Sequence, residues 1–183
     1  SHTITAAWSD AVAATELAQG CAAVTLEIEQ IPRPSLEAVA RTAPLHPGVE
    51  PVFTVQERAR QKQWLERHHF PLGPFRVVTD AAQAEAAVAA LGPSIVKAAM
   101  GGYDGRGQVR VKSAPDGRAA FEKLKAPVCV VEAFLDIHTE ISVLVARRAD
   151  GTGVAYPPSR NLHTDGVLTW AVTPSGVSAE MQD

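Results

Sequence analysis

The sequence predicts a mixed fold of helices and strands, α/β (α+β), on three observations. Short apolar runs with strand periodicity alternate with helical segments that begin at capping residues and end at glycine or proline. Two of the strands, 95–97 and 109–111, are joined by a glycine-rich loop. A β-branched strand, 128–132, follows the next helix and ends on an acid.

The composition is that of an ordinary globular domain, with 46% hydrophobic and 20% charged residues in a chain of 183. A formal charge of -3 provides no electrostatic reason to expect nucleic acid or an anionic membrane as a partner. No apolar run approaches the ~20 residues that span a bilayer. The two cysteines, Cys21 and Cys129, are too few for a disulfide framework. We therefore expect a cytoplasmic protein that binds neither nucleic acid nor membranes.

The first third of the chain predicts a helix capped by Asp10, then a strand at 21–26, then a short helix that Ser35 caps. Glu27 and Glu29 follow the strand and share one face of the extended chain. They stand either where open α/β sheets bind ligands or in solvent as two ordinary carboxylates. Residues 42–51 hold three prolines and a glycine, which predicts a linker and a domain boundary.

The remaining elements follow in order. Adjacent His68 and His69 end a helix and point to different sides of it, which favours a surface location over a metal pair. We predict helices at 55–69, 80–91 and 115–125, strands at 75–78, 95–97, 109–111, 128–132, 137–147, 154–156 and 166–172, a hairpin turn at 150–151, and irregular chain at 157–163.

The loop between strands 95–97 and 109–111 carries four glycines in the seven residues 101–107. Such a backbone adopts positive φ easily and turns its N–H groups toward anions, phosphate above all. Lys97 ends the first strand and reaches the same position as a point charge. A glycine-rich hairpin without a ligand is the alternative. Tyr, Asp and Arg between the glycines argue for a ligand-binding loop, because a plain hairpin does not need them.

The order of lysine strand, glycine loop, strand, helix and acid-ending strand resembles the ATP-grasp superfamily, in which a nucleotide lies between two α+β lobes. A narrower resemblance is to the N5-carboxyaminoimidazole ribonucleotide synthetase family, and it spans nearly the whole chain. The segments that carry it are 25–29, Arg58 with Gln61 and Lys62, 101–108, 131–132, 140–142, and 156–157 with 161–163 and 165–166.

The resemblance implies three parts. Residues 1–52 would be the C-terminal part of an N-terminal α/β domain, 53–135 a helix and the small ATP-grasp lobe, and 136–183 the start of the large lobe. The family's first strand with its glycine-rich turn, and the large-lobe carboxylates that hold Mg²⁺, have no counterpart in this sequence. We therefore expect a truncated, inactive fragment of such an enzyme. Leu26 and Ile28 also stand where the family commonly has aromatics.

The implied activity is that of a carbon–nitrogen ligase of purine biosynthesis. Bicarbonate attacks the γ-phosphate of ATP in the presence of Mg²⁺, and 5-aminoimidazole ribonucleotide then takes the carboxyl group from carboxyphosphate, releasing ADP and phosphate. The implied partners are ATP, bicarbonate and 5-aminoimidazole ribonucleotide, with a homodimer in the full-length parent. The alternatives are another ATP-grasp ligase or carboxylase, against which the motif at 103–106 argues, and a non-catalytic nucleotide-binding module.

The resemblance also implies the site residues. Lys97 and Arg58 would meet the phosphates, 102–108 would close over them, 133–135 would receive adenine, and Glu140 the ribose. His163 would belong to the same site, or be a loop histidine with ordinary partners. The implied nucleotide-binding residues are Arg58, Lys97, Gly102, Tyr103, Asp104, Gly105, Arg106, Gly107, Gln108, Glu132, Ala133, Phe134, Leu135, Glu140 and His163.

Four residues would act on the other substrates. Arg106 offers a planar fork for bicarbonate or carboxyphosphate, and Tyr103 a hydrogen bond to the same anion. Asp104 would accept from the aminoimidazole amine, and Glu27 would reach in from the N-terminal domain. No set of acids in this sequence predicts a metal site, so the Mg²⁺ ligands are expected in the C-terminal part of the family that this sequence lacks.

Overall fold

The structure is a computed structural model that describes residues 3–102, 107–164, 166–178 and 180. Six helices lie in those ranges: α1 (Ala11–Ala18), α2 (Arg33–Thr42), α3 (Val49–Val55), α4 (Arg58–Arg67), α5 (Ala81–Leu91) and α6 (Ala114–Leu124). Eleven strands lie in the same ranges: β1 (Val24–Thr25), β2 (Leu45–His46), β3 (Phe75–Val78), β4 (Ser94–Ala98), β5 (Gln108–Val111), β6 (Cys129–Ala133), β7 (Glu140–Ser142), β8 (Val145–Arg147), β9 (Gly153–Ala155), β10 (Ser159–Thr164) and β11 (Val167–Val172).

The N-terminal elements pack α1 and α2 beside two short parallel strands, β1 and β2. Asp10 caps α1 as predicted, its carboxylate accepting from two backbone N–H groups at 3.0 Å. Ser35, however, is not the cap of α2. It lies one turn inside the helix, buried, and its hydroxyl donates to the Trp8 carbonyl at 2.8 Å. Pro32 takes the cap position, and prolines are well tolerated at this end of a helix.

Three predictions in this region are wrong in extent. The strand predicted at 21–26 is paired only over β1, and residues 42–51, predicted as an irregular linker, contain β2 and the first turn of α3. The helix predicted at 55–69 begins at Arg58, because α3 ends at Val55 and Glu57 adopts an extended conformation between the two helices. The boundary at 52–53 falls inside α3 and stays a prediction.

The central sheet is antiparallel, in the order β3-β6-β4-β5. One face packs on α5 and α6 through the buried side chains Val78, Val96, Val111, Cys129 and Val131. Both helices are capped locally, α5 by the Asp80 carboxylate and α6 by a reciprocal Ser113–Asp116 capping box. This part of the fold follows the sequence closely, since its strands are short, apolar and bounded by caps and glycines.

The opposite face of that sheet positions the candidate site. In the antiparallel register Ile95 lies opposite Glu132 and Lys97 opposite Val130, so these four side chains share one face. Helix α4 covers the same face, where its Ala59 packs with the buried Val130 in a small apolar cluster. Side chains of β4, β6 and α4 are therefore brought together there.

The C-terminal strands form a three-stranded antiparallel sheet, β11-β10-β7, and a hairpin, β8-β9. The predicted turn at Asp150 and Gly151 joins the hairpin. The single strand predicted at 137–147 is two strands, β7 and β8. Residues 157–163, predicted as irregular, contain most of β10, which pairs on both edges. The sequence did not predict β10 because its residues are mostly polar. Whether such a segment forms a strand depends more on pairing with neighbouring strands than on local propensity.

Within the ranges given above, none of the helices has the length and apolar character that a membrane crossing requires.

Candidate functional site

Two lysines share one carboxylate oxygen at the root of the glycine loop. The Lys97 ammonium lies 3.0 Å, and the Lys62 ammonium 3.4 Å, from Oε2 of Glu132. All three side chains are about one-fifth exposed. Lys97 and Glu132 are diagonal neighbours across β4 and β6, and Lys62 comes from α4 above them. The cluster has one more cation than anion in a half-buried setting, which suits it to a further anion.

Lys62 was not among the predicted site residues. Its signal in the sequence is the spacing from Arg58, because residues four apart lie on one face of a helix. Only the packing of α4 on the sheet reveals that this face meets Glu132.

Arg58 ties the start of α4 to the glycine loop. Its backbone N–H donates to the Ala99 carbonyl at 2.8 Å, and its guanidinium donates to the Gly102 carbonyl at 3.3 Å. Arg58 therefore meets the loop itself, while Lys97 stands on the strand that leads into it. Of the two predicted cations, Lys97 is thus at the start of the short segment 97–102, and the Arg58 guanidinium contacts its end.

The two described ends of the glycine loop lie close to each other. Gly101 and Gly107 have positive φ angles of 78° and 72°, which favour glycine. The Ala98 N–H donates to the Gly107 carbonyl at 2.9 Å, and a Cβ built on Gly107 would lie 3.2 Å from the Gly102 Cα. Gln108 begins β5 opposite Lys97. The predicted site residues Tyr103, Asp104, Gly105 and Arg106 lie outside the described residues.

The segment predicted to receive adenine continues from β6. Two of its backbone donors are already used, Ala133 N–H by the Pro74 carbonyl at 2.9 Å and Phe134 N–H by the Pro93 carbonyl at 2.8 Å. The N–H of Leu135 has no partner among the residues that the structure describes. Of the three residues predicted to receive adenine, only Leu135 thus keeps a backbone N–H without a described partner.

Glu140 and His163 lie together on the C-terminal sheet. Nδ1 of His163 is 3.5 Å from Oε2 of Glu140. The Asn161 amide donates to Oε1 of Glu140 at 3.4 Å and accepts from the Ser142 hydroxyl at 3.1 Å. The register of β7 and β10 places Asn161 directly opposite Glu140. Asn161 was not among the predicted site residues, although it stands two residues before the predicted His163 and contacts the predicted Glu140.

The two N-terminal acids line different cavities. Glu27 is on the wall of an apolar cavity of about 510 Å³ bounded by α1, α2 and β1. Glu29 lines a second cavity of about 540 Å³, whose wall also includes Arg58, Gly101 and Gly102. Of the pair, Glu29 rather than Glu27 thus shares a cavity with the glycine loop, and the catalytic role expected for Glu27 stays a prediction.

No group of three His, Cys, Asp or Glu side chains within the described ranges could hold a metal ion. Because Mg²⁺ in nucleotide sites is commonly held by one or two carboxylates together with phosphates, this absence leaves the implied Mg²⁺ site a prediction.

A comparison with family models matches residues 63–183 to the ATP-grasp domain. The chain belongs to the ATP-grasp family. The match covers β3 to β11 with Lys97 and Glu132 of the lysine cluster, so the predicted superfamily and its mixed fold are confirmed. The three domain ranges expected from the sequence stay predictions.

Comparisons with individual proteins point to one branch of the ATP-grasp family. The N5-carboxyaminoimidazole ribonucleotide synthase of Brucella melitensis is 33% identical over 180 residues, covering 97% of this chain and 50% of the relative. The Staphylococcus aureus N5-carboxyaminoimidazole synthetase, complexed with ADP, superposes with a TM-score of 0.90 at 28% identity, covering 98% of this chain and 48% of that one.

A third similar structure is the Aspergillus clavatus N5-carboxyaminoimidazole synthase in complex with ADP and 5-aminoimidazole ribonucleotide. Its TM-score is 0.85 at 25% identity, over 97% of this chain and 47% of that one. This chain spans about half the length of the curated relatives it matches. The narrower resemblance expected from the sequence is confirmed as a similarity to these proteins.

Proposed function

We propose that this chain is the nucleotide-binding part of a carbon–nitrogen ligase that carboxylates 5-aminoimidazole ribonucleotide. The overall reaction consumes ATP and bicarbonate and yields N5-carboxyaminoimidazole ribonucleotide, ADP and phosphate. The observation that carries the proposal is the pair of lysines on Glu132 at the root of the glycine loop. Support also comes from the relatives, whose names state this synthase and whose structures hold ADP or 5-aminoimidazole ribonucleotide.

In this proposal Lys97 and Lys62 neutralise the ATP phosphates, and Arg58 adds a third cation beside Gly102. Phosphoryl transfer depends mainly on positioning and on neutralising charge, and preset cations supply both. Glu132 keeps the two ammonium groups close together before the nucleotide arrives, since like charges would otherwise separate. The loop from Gly102 to Gln108 closes over the phosphates.

The nucleoside would be held by the backbone and by the C-terminal sheet. Leu135 N–H donates to the adenine edge, with Phe134 and Leu135 as apolar cover. Glu140 accepts from the ribose hydroxyls, and Asn161 and His163 hold its carboxylate in position. The distances from Glu140 to these two side chains, 3.4 and 3.5 Å, support that assignment.

The remaining reactants and conditions belong to the same proposal. Bicarbonate and the aminoimidazole amine would be handled by Tyr103, Asp104, Arg106 and Glu27, in the roles that the family resemblance implies. Mg²⁺ is the expected metal, the cytoplasm the expected location, and a homodimer the expected assembly of the full-length parent.

Titration calorimetry of ATP and ADP into the chain tests the nucleotide site. We expect Lys97→Met and Lys62→Met each to raise the Kd for ATP about tenfold or more, because each removes a charged phosphate contact. Met keeps the length of the apolar stem, so packing is retained. The matched control is Lys123→Met, on the exposed side of α6, with an unchanged Kd. Equal ATP affinity in Lys97→Met and Lys123→Met would refute the assignment.

A further inference from the structure

Gln56 connects the end of α3 to the segment that follows β1, which lies more than 20 residues earlier in the chain. It follows α3 directly, and its side-chain nitrogen donates to the carbonyl of Glu29 at 2.5 Å and to that of Ile31 at 2.6 Å. A primary amide has two N–H donors, and both are used here. Two carbonyls of the segment after β1 therefore converge on one side chain 25 residues further along the chain.

The same junction is attached to the glycine loop on its other side. Two residues after Gln56, the Arg58 backbone and guanidinium donate to the carbonyls of Ala99 and Gly102. Glu29, Gln56, Arg58 and Gly102 all line the cavity of about 540 Å³. One wall of this cavity is the segment 29–31, which Gln56 contacts, and the other is the glycine loop, which Arg58 contacts. Only Glu57 separates these two residues in the chain.

The junction between α3 and α4 is itself well anchored. The ring of Phe53 in α3 is contacted by two guanidinium groups, those of Arg33 at 4.4 Å and Arg60 at 3.5 Å from its centroid. Arg60 also donates to the Phe53 carbonyl and pairs with Glu57 at 2.6 Å. These contacts restrain the backbone on both sides of Gln56, from which its amide donates to the two carbonyls.

The chemistry at position 56 is specific to an amide. Two carbonyl oxygens face it, and a carboxylate there would place negative charge against both. A thioether would leave both oxygens without a donor while filling the same space. Glu and Met are therefore two independent ways to remove the contact with little change in volume.

We propose that Gln56 is a positioning residue that couples the segment 29–31 to Arg58 and the glycine loop, so that nucleotide binding at the loop also sets the position of Glu29. The inference rests on the proposed function, because it takes the nucleotide to bind beside Lys97 and Gly102. Gln56 touches no substrate in this scheme. It acts through the two carbonyls and through the chain that leads to Arg58.

The test uses proton–nitrogen correlation NMR spectra of the 183-residue chain, of Gln56→Met and Gln56→Glu, and of the control Gln63→Met on the exposed side of α4. Without ligand, both Gln56 variants should shift the signals of residues 29–31 and 101–102 and leave those of β3 and β6 in place. The control should shift neither group. Shifts confined to the sequence neighbours of position 56 would overturn the proposal.

The second arm adds ATP. In the wild type we expect shifts at 101–102 and at 29–31, and in Gln56→Met we expect those at 101–102 to persist and those at 29–31 to be lost. A purely structural role for Gln56 would not separate the two groups, and equal shifts at 29–31 in both proteins would overturn the coupling. If ATP shifts no signal at Lys97 or 101–102 in the wild type, the proposed nucleotide site fails. The ligand-free spectra then decide the positioning role alone.

Discussion

At the residue scale, the charge balance of a few side chains carries the proposed chemistry. Glu132 receives two ammonium groups on one oxygen, so neither lysine is fully neutralised. Each of the three side chains is only about one-fifth exposed, which limits screening by water and salt. In the proposed function, a phosphate that enters the cluster meets charges already in place, so these two lysines need little reorganisation.

Asp116 provides a pH prediction at the same scale. A hydrogen bond from the Ser113 hydroxyl, followed by those from the Ser113 and Lys112 N–H groups, lowers the pKa of Asp116 below its ordinary value. A carboxylate with a lowered pKa in the folded state stabilises it above the unfolded pKa, about 3.9. That contribution is lost as the pH falls through the lower, folded pKa.

We therefore expect the free energy of unfolding to decline on acidification below about pH 4. The decline should be shallower in Asp116→Asn, which does not titrate. Urea unfolding, followed by circular dichroism between about pH 6 and about pH 2, brackets the unfolded pKa of about 3.9. It measures how the free energy of unfolding of each protein changes with pH. Parallel slopes in the two proteins would mean that Asp116 does not contribute.

At the element scale, the crossing of α5 and α6 depends on a glycine. A Cβ on Gly117 would lie 2.6 Å from Val88 Cγ2 and 2.9 Å from the Ala84 carbonyl. Val88 and Ala84 are buried against the central sheet, so neither can move aside easily. Gly117 thus sets how closely the two helices approach.

We expect Gly117→Ala to destabilise the fold although alanine is the better helix former. The helix gains about 1 kcal/mol from the substitution, while overpacking costs about 1–3 kcal/mol and adds to a backbone contact that cannot relax. Thermal unfolding should show a Tm lowered by several degrees. Lys123→Ala, exposed on the same helix, is the matched control and should stay within about 0.5 kcal/mol of the wild type. A raised Tm in Gly117→Ala would show that the helices separate at no cost.

At the scale of the whole molecule, the residues proposed to bind the nucleotide come from separate layers of the fold. The central sheet supplies Lys97 and Glu132, α4 supplies Lys62 and Arg58, and the C-terminal sheet supplies Glu140 and His163. The chain covers only half of the Brucella melitensis relative, so its activity is best tested in that relative's context.

A chimera provides that test, with this chain replacing the matched half of the Brucella melitensis protein. We expect ADP formation that requires both bicarbonate and 5-aminoimidazole ribonucleotide. Lys97→Met in the chimera should lower kcat/KM for ATP about ten- to a hundredfold, the worth of one charged contact, and Lys123→Met should leave it unchanged. A chimera that binds ATP but does not respond to 5-aminoimidazole ribonucleotide would contradict the proposed substrate.

Local signals in the sequence were sufficient for some elements and misleading for others. Asp10 caps its helix as predicted, and Asp80 caps α5 in the same way, because a cap depends on neighbours within three residues. Ser35 has the same side-chain chemistry and was predicted as a cap, but its hydroxyl bonds to Trp8, 27 residues away. Strand β10 was missed for a related reason, since its polar side chains are matched by partners on β7 and β11 rather than by a local pattern.

The sequence by itself determined the family, the lysine strand with its glycine hairpin, and the cations and acids available for a nucleotide, because these are encoded in short, contiguous patterns. The packing of the elements, by contrast, brings Lys62 to Lys97 on Glu132, and it places Glu29 rather than Glu27 on the wall of the cavity beside the loop. It also brings Gln56 to the 29–31 segment and Arg58 to Gly102, on the two walls of that cavity. Each of these contacts joins residues far apart in the chain. Their formation depends on how helices pack on strands, which no local pattern of residue types specifies.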